Sequence, residues 1–162
     1  MMLTAVCPGS FDPITFGHLD IIERSTYIYD RVIVGIAENP SKATLLSLEE
    51  RSELVNEALK HLKKVKVLPF DCLLVEFARE NGAKAIVKGL RAISDFEHEF
   101  QMAHLNEKLD STIETIFMMA SPEYMFLSSS AVKEIAVYGG AVSEFVPPAV
   151  EKHLKAKFFK RG

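Results

Sequence analysis

Cys7-Pro8-Gly9-Ser10-Phe11-Asp12-Pro13-Ile14-Thr15-Phe16-Gly17-His18 sets a hydroxyl, a glycine turn and a histidine between two contrasting apolar patterns. Before it, Met2-Leu3-Thr4-Ala5-Val6-Cys7 is a short apolar run suited to a strand covered on both faces. After it, Leu19, Ile22, Thr26 and Tyr29 recur near helical spacing, so His18 falls in the first turn of a helix. The free N–H groups and dipole of a helix start favour an anion, and an imidazole there can donate to a phosphate oxygen. Two readings stand side by side. The segment is a phosphate site, or it is a loop shaped by Pro8, Gly9, Pro13 and Gly17 with His18 as a polar helix-start residue.

Working outward, apolar and β-branched runs recur at residues 3–7, 32–37, 65–70, 85–87 and 113–119, each followed by polar turns and a helical pattern. That alternation indicates an α/β fold with a parallel sheet. Ser47-Leu48-Glu49-Glu50 and Ser94-Asp95-Phe96-Glu97 both fit a capping box, and Ser121-Pro122 suggests a further helix start. Residues 147–162 space Val150, Leu154 and Phe158 four apart and crowd Lys155, Lys157, Lys160 and Arg161 near the end. They predict a docked helix whose cations complement its dipole. Repeats and low-complexity tracts are absent, so residues 1–162 are expected to form a single domain, and nearly half of them are hydrophobic, enough for one core.

The net charge of -3 argues against a general nucleic-acid or anionic-membrane binder, so any anion site is local. Cys7 and Cys72 show neither metal-ligand spacing nor enough partners for a disulfide framework. With no signal-peptide pattern and no apolar run approaching a membrane span, a reduced, cytoplasmic protein is the expectation.

Four motifs follow predicted strands and therefore gather at one edge of the sheet: residues 10–18, Pro40-Ser41-Lys42, Lys88-Gly89-Leu90-Arg91 and Ser128-Ser129-Ser130. Neither a Gly-x-Gly-x-x-Gly fingerprint nor a P-loop is present, which weighs against ordinary dinucleotide binding and kinase-like phosphate cradling. His18, Lys42, Lys88 and Arg91 together suit a polyphosphate. Surface lysines are usually only solvated, but Lys88 interrupts an apolar strand end just before Gly89, where the backbone can be approached closely. Arg91 adds a planar fork. The serine run precedes a helical pattern over residues 131–138; one serine is explained by capping, and three suggest an anion site. No Ser-His-Asp or Cys-His set argues for a covalent intermediate.

Together Pro8 to Pro13, Thr15-Phe16-Gly17-His18, Pro40 to Lys42, Lys88 to Arg91 with Asp95-Phe96-Glu97, and Ser128 to Ser130 resemble the nucleotidyltransferase superfamily with its Thr/His-x-Gly-His signature. Along nearly the whole chain the match is to the bacterial phosphopantetheine adenylyltransferase family. The resemblance implies a Rossmann-like, doubly wound sheet of five parallel strands in the order 3-2-1-4-5 with flanking helices. It implies transfer of AMP from ATP to 4′-phosphopantetheine, giving dephospho-coenzyme A and pyrophosphate by direct attack, with Mg2+ held by ATP phosphates rather than by a protein metal site. His18, Lys42 and Arg91 would be catalytic, with His18 stabilising the transition state. ATP would meet Ser10, Phe11, His18, Gly89, Leu90, Arg91, Glu99, Tyr124, Met125, Phe126, Leu127, Ser128, Ser129 and Ser130. The acceptor would meet Ser10, Lys42, Leu74 and Lys88. A homohexamer built as a dimer of trimers and feedback binding of coenzyme A are also implied. Two positions depart from the family's usual pattern: Lys88 stands where arginine is common, and Ser10 where threonine is often found. Adenylylation of nicotinamide mononucleotide, cytidylyl transfer to a small phosphate, and a non-catalytic sensor of ATP or coenzyme A are the competing expectations; a purely structural role would leave the clustered phosphate-compatible residues unexplained.

Overall fold

Strands β1 (Thr4–Gly9), β2 (Arg31–Ala37), β3 (Val65–Phe70), β4 (Ala85–Leu90) and β5 (Glu114–Met119) form one parallel sheet in the order β3-β2-β1-β4-β5. The computed structural model describes residues 2–158. Helices α1 (Phe16–Ile28), α2 (Leu48–Leu59), α3 (Leu74–Glu80), α4 (Ile93–Leu109), α5 (Ser129–Val137) and α6 (Pro148–Phe158) complete a single α/β domain, as expected. Among the described residues no helix is long and apolar enough to cross a membrane.

Side chains along a strand alternate between faces, and the core divides accordingly. Ala5, Cys7, Val32, Val34, Val87 and their neighbours pack on one face with α1, α2 and α6. Val6, Ile33 and Ile86 pack on the other with Val75, Phe77 and Ala78 of α3. Burial on both faces is why these strands read as continuous apolar runs. Cys7 and Cys72 are both free; burial pushes the Cys7 thiol up to about 11, although Ser25 hydrogen-bonds it, so it behaves as a small core residue.

The capping box of α2 forms as read: Ser47 Oγ accepts from the Glu50 N–H at 3.1 Å, and Glu50 Oε2 accepts from the Ser47 N–H at 2.8 Å. Glu50 also accepts from His153 and Lys157, which docks α6, with Val150 and Leu154 buried in the core. Lys160 and Arg161 lie outside the described residues.

Four boundaries correct the sequence reading. β4 runs on through Lys88, Gly89 and Leu90, which pair with Phe117, Met118 and Met119 instead of forming a loop. Ser94 does not stand at the cap: α4 starts at Ile93 with Ala92 at the cap position, which leaves Asp95 in the first turn to pair with Arg91. Ser121-Pro122 opens only a 3-10 turn, Pro122–Tyr124, while the Ser121 hydroxyl donates to Asp20 at 2.9 Å. Finally, α5 begins at Ser129, two residues before the predicted start, because Ser128 supplies its cap.

Candidate active site

Strand order reverses on either side of β1, since β2 lies to one flank and β4 to the other, and a crevice outside the carboxyl ends of such strands suits a ligand. A cavity of about 440 Å³ occupies that place, walled by the β1–α1 loop, the end of β4 and the start of α5.

The β1–α1 loop is tightly made. Phe11 takes a left-handed backbone (φ 48°), a conformation uncommon for a bulky residue, and its ring is buried. The ring lies so close to Gly9 that a Cβ there would meet it at 3.0 Å, which explains a glycine at that position. The buried Asp12 carboxylate ties the loop to its neighbours, accepting from the Leu45 and Leu46 N–H groups and from Lys133 Nζ, all at 2.9 Å. Burial would raise its pKa, but the hydrogen bonds from Lys133, Leu45 and Leu46 outweigh it and hold the carboxyl below the usual range.

His18 is the third residue of α1 and completes a capping box with Thr15. Its Nδ1 accepts from the Thr15 N–H at 3.0 Å, and Thr15 Oγ1 accepts from the His18 N–H at 3.4 Å. A backbone amide can only donate, so Nδ1 is unprotonated and the neutral ring carries its proton on Nε2. Burial, helped by the Arg91 charge, pushes the His18 pKa down to about 4, so the ring is neutral at pH 7. Phe11 meets it edge-on, with centroids 5.0 Å apart. The side chain is therefore an oriented hydrogen-bond donor. It lacks the free basic nitrogen that proton abstraction requires.

At the end of β4, Lys88 Nζ lies 3.3 Å from Glu99 Oε2, and Arg91 Nη1 donates to the Leu127 carbonyl at 2.7 Å while its Nε lies 3.3 Å from Asp95. Lys42 Nζ donates to Ser10 Oγ at 3.1 Å, and both residues line the cavity. At α5 the three serines divide their work. Ser128 Oγ accepts from the Ala131 N–H, Ser129 Oγ donates to the Pro13 carbonyl at 2.8 Å, and Ser130 is exposed. Ser128, Ser129 and Ser130 line the cavity at the start of α5, a helix end whose unpaired N–H groups suit anionic oxygens. Four side-chain cations, Lys42, Lys88, Arg91 and Lys133, line the cavity against two carboxylates, Asp12 and Glu99, in a chain whose net charge is -3.

The cytidylyltransferase-like family model matches residues 6–135. The phosphopantetheine adenylyltransferase of Caldanaerobacter subterraneus subsp. tengcongensis is 54% identical over 159 residues, covering 98% of this chain and 99% of the relative. The chain belongs to the phosphopantetheine adenylyltransferase family. It is accordingly a nucleotidyltransferase. Two solved structures share the fold. A putative nicotinate-nucleotide adenylyltransferase from Vibrio parahaemolyticus superposes with a TM-score of 0.73 at 18% identity, covering 100% of this chain and 98% of its own. The nicotinic acid mononucleotide adenylyltransferase of Plasmodium falciparum, complexed with NaAD, gives 0.71 at 14% identity over 98% and 96%.

In this member of the family the cavity gathers most residues singled out in the sequence: Ser10, Phe11, His18, Lys42, Lys88, Gly89, Arg91, Glu99, Tyr124, Leu127 and the three serines. Four stand outside its lining. Leu90 is buried in β4, Met125 and Phe126 are exposed beyond the 3-10 turn, and Leu74 opens α3 against the second core cluster. Gly89 has a packing reason as well, because a Cβ there would sit 2.9 Å from Ile21 of α1. The sequence does not single out Asp12 and Lys133, which line the cavity, or Arg51, which stands outside its lining but whose Nη1 donates to the Ser10 carbonyl at 2.8 Å. Lys133 was within reach of helical spacing, since a residue four positions after Ser129 shares its face.

Proposed function

We propose that this chain transfers AMP from ATP to 4′-phosphopantetheine, yielding dephospho-coenzyme A and pyrophosphate in coenzyme A biosynthesis. The near-full-length likeness to a curated relative of that name supports the substrate pair. The observation that carries the mechanism is the bonding of His18, whose Nδ1 is sealed by a backbone amide and whose Nε2–H has no hydrogen-bond partner among the described residues. Such a site has no evident means of deprotonating a neutral alcohol, so it suits an acceptor that is already an anion. The acceptor phosphate would attack the α-phosphorus of ATP in line, and pyrophosphate would leave without a covalent enzyme intermediate.

In this reading Ser10, Lys42 and Lys88 hold the acceptor phosphate, with the backbone at Leu74 meeting the pantetheine arm. His18 Nε2–H and Arg91 neutralise charge that develops on the α-phosphate, and the α5 start with Ser129, Ser130 and Lys133 receives the β- and γ-phosphates. Phe11, Gly89, Leu90, Glu99 and residues 124–128 shape the nucleoside side. Among the described residues no three His, Cys, Asp or Glu side chains converge as a metal cage, and both lining carboxylates are engaged by lysines. A Mg2+ ion carried by the ATP phosphates fits this donor set; it would add charge neutralisation there. Feedback binding of coenzyme A at the same cavity and a hexameric assembly belong to the same reading, the latter supported by Phe96, Phe100, Leu105 and Leu109 exposed along α4.

A donor and acceptor panel with ATP, CTP, 4′-phosphopantetheine, pantetheine, nicotinamide mononucleotide and glycerol phosphate tests the assignment, with pyrophosphate release and product mass as readouts. Turnover is expected with ATP and 4′-phosphopantetheine, and pantetheine should be nearly inert. Efficient adenylylation of pantetheine would overturn the mechanism; preference for nicotinamide mononucleotide or for CTP would overturn the substrate assignment. Tight ATP binding without turnover would favour a sensor.

A further inference from the structure

Arg51 of α2 is buried, with 3% of its surface exposed, and its Nη1 donates to the carbonyl of Ser10 at 2.8 Å and to that of Ala37 at 2.9 Å. These two carbonyls belong to neighbouring strands at the point where they part. β1 and β2 stay in register through Gly9 and Ile36. One residue later Ser10 turns into the β1–α1 loop, and the chain beyond Ala37 leads to Lys42. Backbone acceptors that leave a ladder need other donors, and a single guanidinium meets both.

A neutral amide would satisfy two carbonyls without burying a charge. Among the described residues no carboxylate pairs with Arg51, and its Nε is buried without a hydrogen-bond partner. An unneutralised buried cation is costly, so its place behind an anion cavity calls for a use. The charge lies behind Ser10, whose hydroxyl accepts from Lys42.

We propose that Arg51 is a positioning residue for the acceptor phosphate. Its grip fixes Ser10 and the root of the Lys42 segment, and its charge favours an anion bound against them. The inference rests on the assignment of Ser10 and Lys42 to the acceptor.

The test compares Arg51→Lys, Arg51→Gln and Val55→Ala, the last a fully buried position on the same helix that lowers stability without touching the carbonyls. Arg51→Lys keeps the charge but loses the fork, and should raise the acceptor KM about tenfold, the effect of one lost charge-assisted hydrogen bond, with the ATP KM within about threefold. Arg51→Gln should raise the acceptor KM further. Val55→Ala should lower Tm and leave both KM values in place. Unchanged acceptor KM in the folded Arg51 variants overturns the proposal, as does an equal rise in Val55→Ala. Should neither Arg51 variant fold, the Nε–H resonance of Arg51 in the wild-type chain decides: it should shift on saturation with 4′-phosphopantetheine, and an unmoved resonance overturns the proposal. Absence of wild-type turnover in this assay removes the acceptor assignment and this inference with it. Wild-type turnover with unaffected Arg51 variants removes the inference alone.

Discussion

Replacing His18 separates its capping bond from the catalytic role proposed for it, because the two fall to opposite sides of one ring. In His18→Ala the Thr15 N–H loses its acceptor, 3.0 Å away in the native chain. Loss of that half of the box should cost about 1 kcal/mol, a Tm decrease of roughly 2–4 °C for a domain of this size. In the proposed donor role the catalytic loss should be larger. Removing a preorganised donor to a developing anion costs about 3–4 kcal/mol, so kcat should fall on the order of 10²–10³-fold. His18→Gln supplies an acceptor at the same helical position, as capping boxes commonly do, and should recover most of the Tm. Its amide cannot reproduce the Nε2–H held at the far side of an imidazole ring, so kcat should remain at least about tenfold low. Thermal unfolding and steady-state pyrophosphate release, read on the same preparations, give both quantities. Near-wild-type kcat in folded His18→Ala would refute the donor role. A kcat that follows Tm through both variants would assign the residue to capping alone.

Lys88→Ala should raise the acceptor KM more than the ATP KM, and Arg91→Ala the reverse, with a lower Tm because the Leu127 carbonyl loses its 2.7 Å donor; equal effects on both substrates would remove this division of labour. Lys88→Arg should retain activity in the same assay, since the charge is preserved. A ¹⁵N titration of the ligand-free chain should find His18 protonated on Nε2 and unprotonated on Nδ1 until about pH 4, and a midpoint near the ordinary 6.5 would contradict the described burial. Because the folded pKa is the lower one, the neutral ring's contribution to stability is complete above about pH 6.5 and is lost as pH falls toward 4. Asp12→Asn turns an amide NH2 against one of three donors and should cost about 3 kcal/mol, a Tm loss of roughly 6–12 °C. The native carboxylate's contribution is lost as pH falls through its lowered pKa, so the variant should show a flatter acid limb below about pH 4 in denaturation scans.

The five strands were legible because their two buried faces leave uninterrupted apolar runs. The end of β4 was not, since Lys88 and Gly89 break the apolar pattern and only pairing with β5 keeps them extended. A similar override moved the start of α4. Ser94 has the composition of a cap, but Arg91 bonds both Leu127 and Asp95, which fits a helix that begins before Ser94. At the site, residues contiguous with the glycine loop were readable as a set. Arg51 was hidden inside Glu49-Glu50-Arg51, a string that reads as a solvated helix face. Its guanidinium is recognisable only when β1 and β2 are seen to diverge above it, a fact of the tertiary fold.

The cations of the cavity are already partnered, and the nature of each partner sets how readily a phosphate can take its place. Among the described residues Lys42 Nζ bonds only the Ser10 hydroxyl, so it would exchange a neutral acceptor for an anionic one. Lys133 can leave Asp12 without orphaning it, because the Leu45 and Leu46 N–H groups continue to satisfy the carboxylate. Glu99 keeps 22% of its side chain exposed and can recover water if Lys88 turns away. Arg91 differs. Leu127 is buried, and abandoning its carbonyl would leave an acceptor unpaired at a cost of about 1–3 kcal/mol. The favourable course is for Arg91 to keep Nη1 on Leu127 and Nε beside Asp95, and to offer Nη2 to the ligand. Under the proposed function it would anchor the segment between β5 and α5 in the same act as it neutralised a phosphate, whereas Lys42, Lys88 and Lys133 would act as movable charges around it.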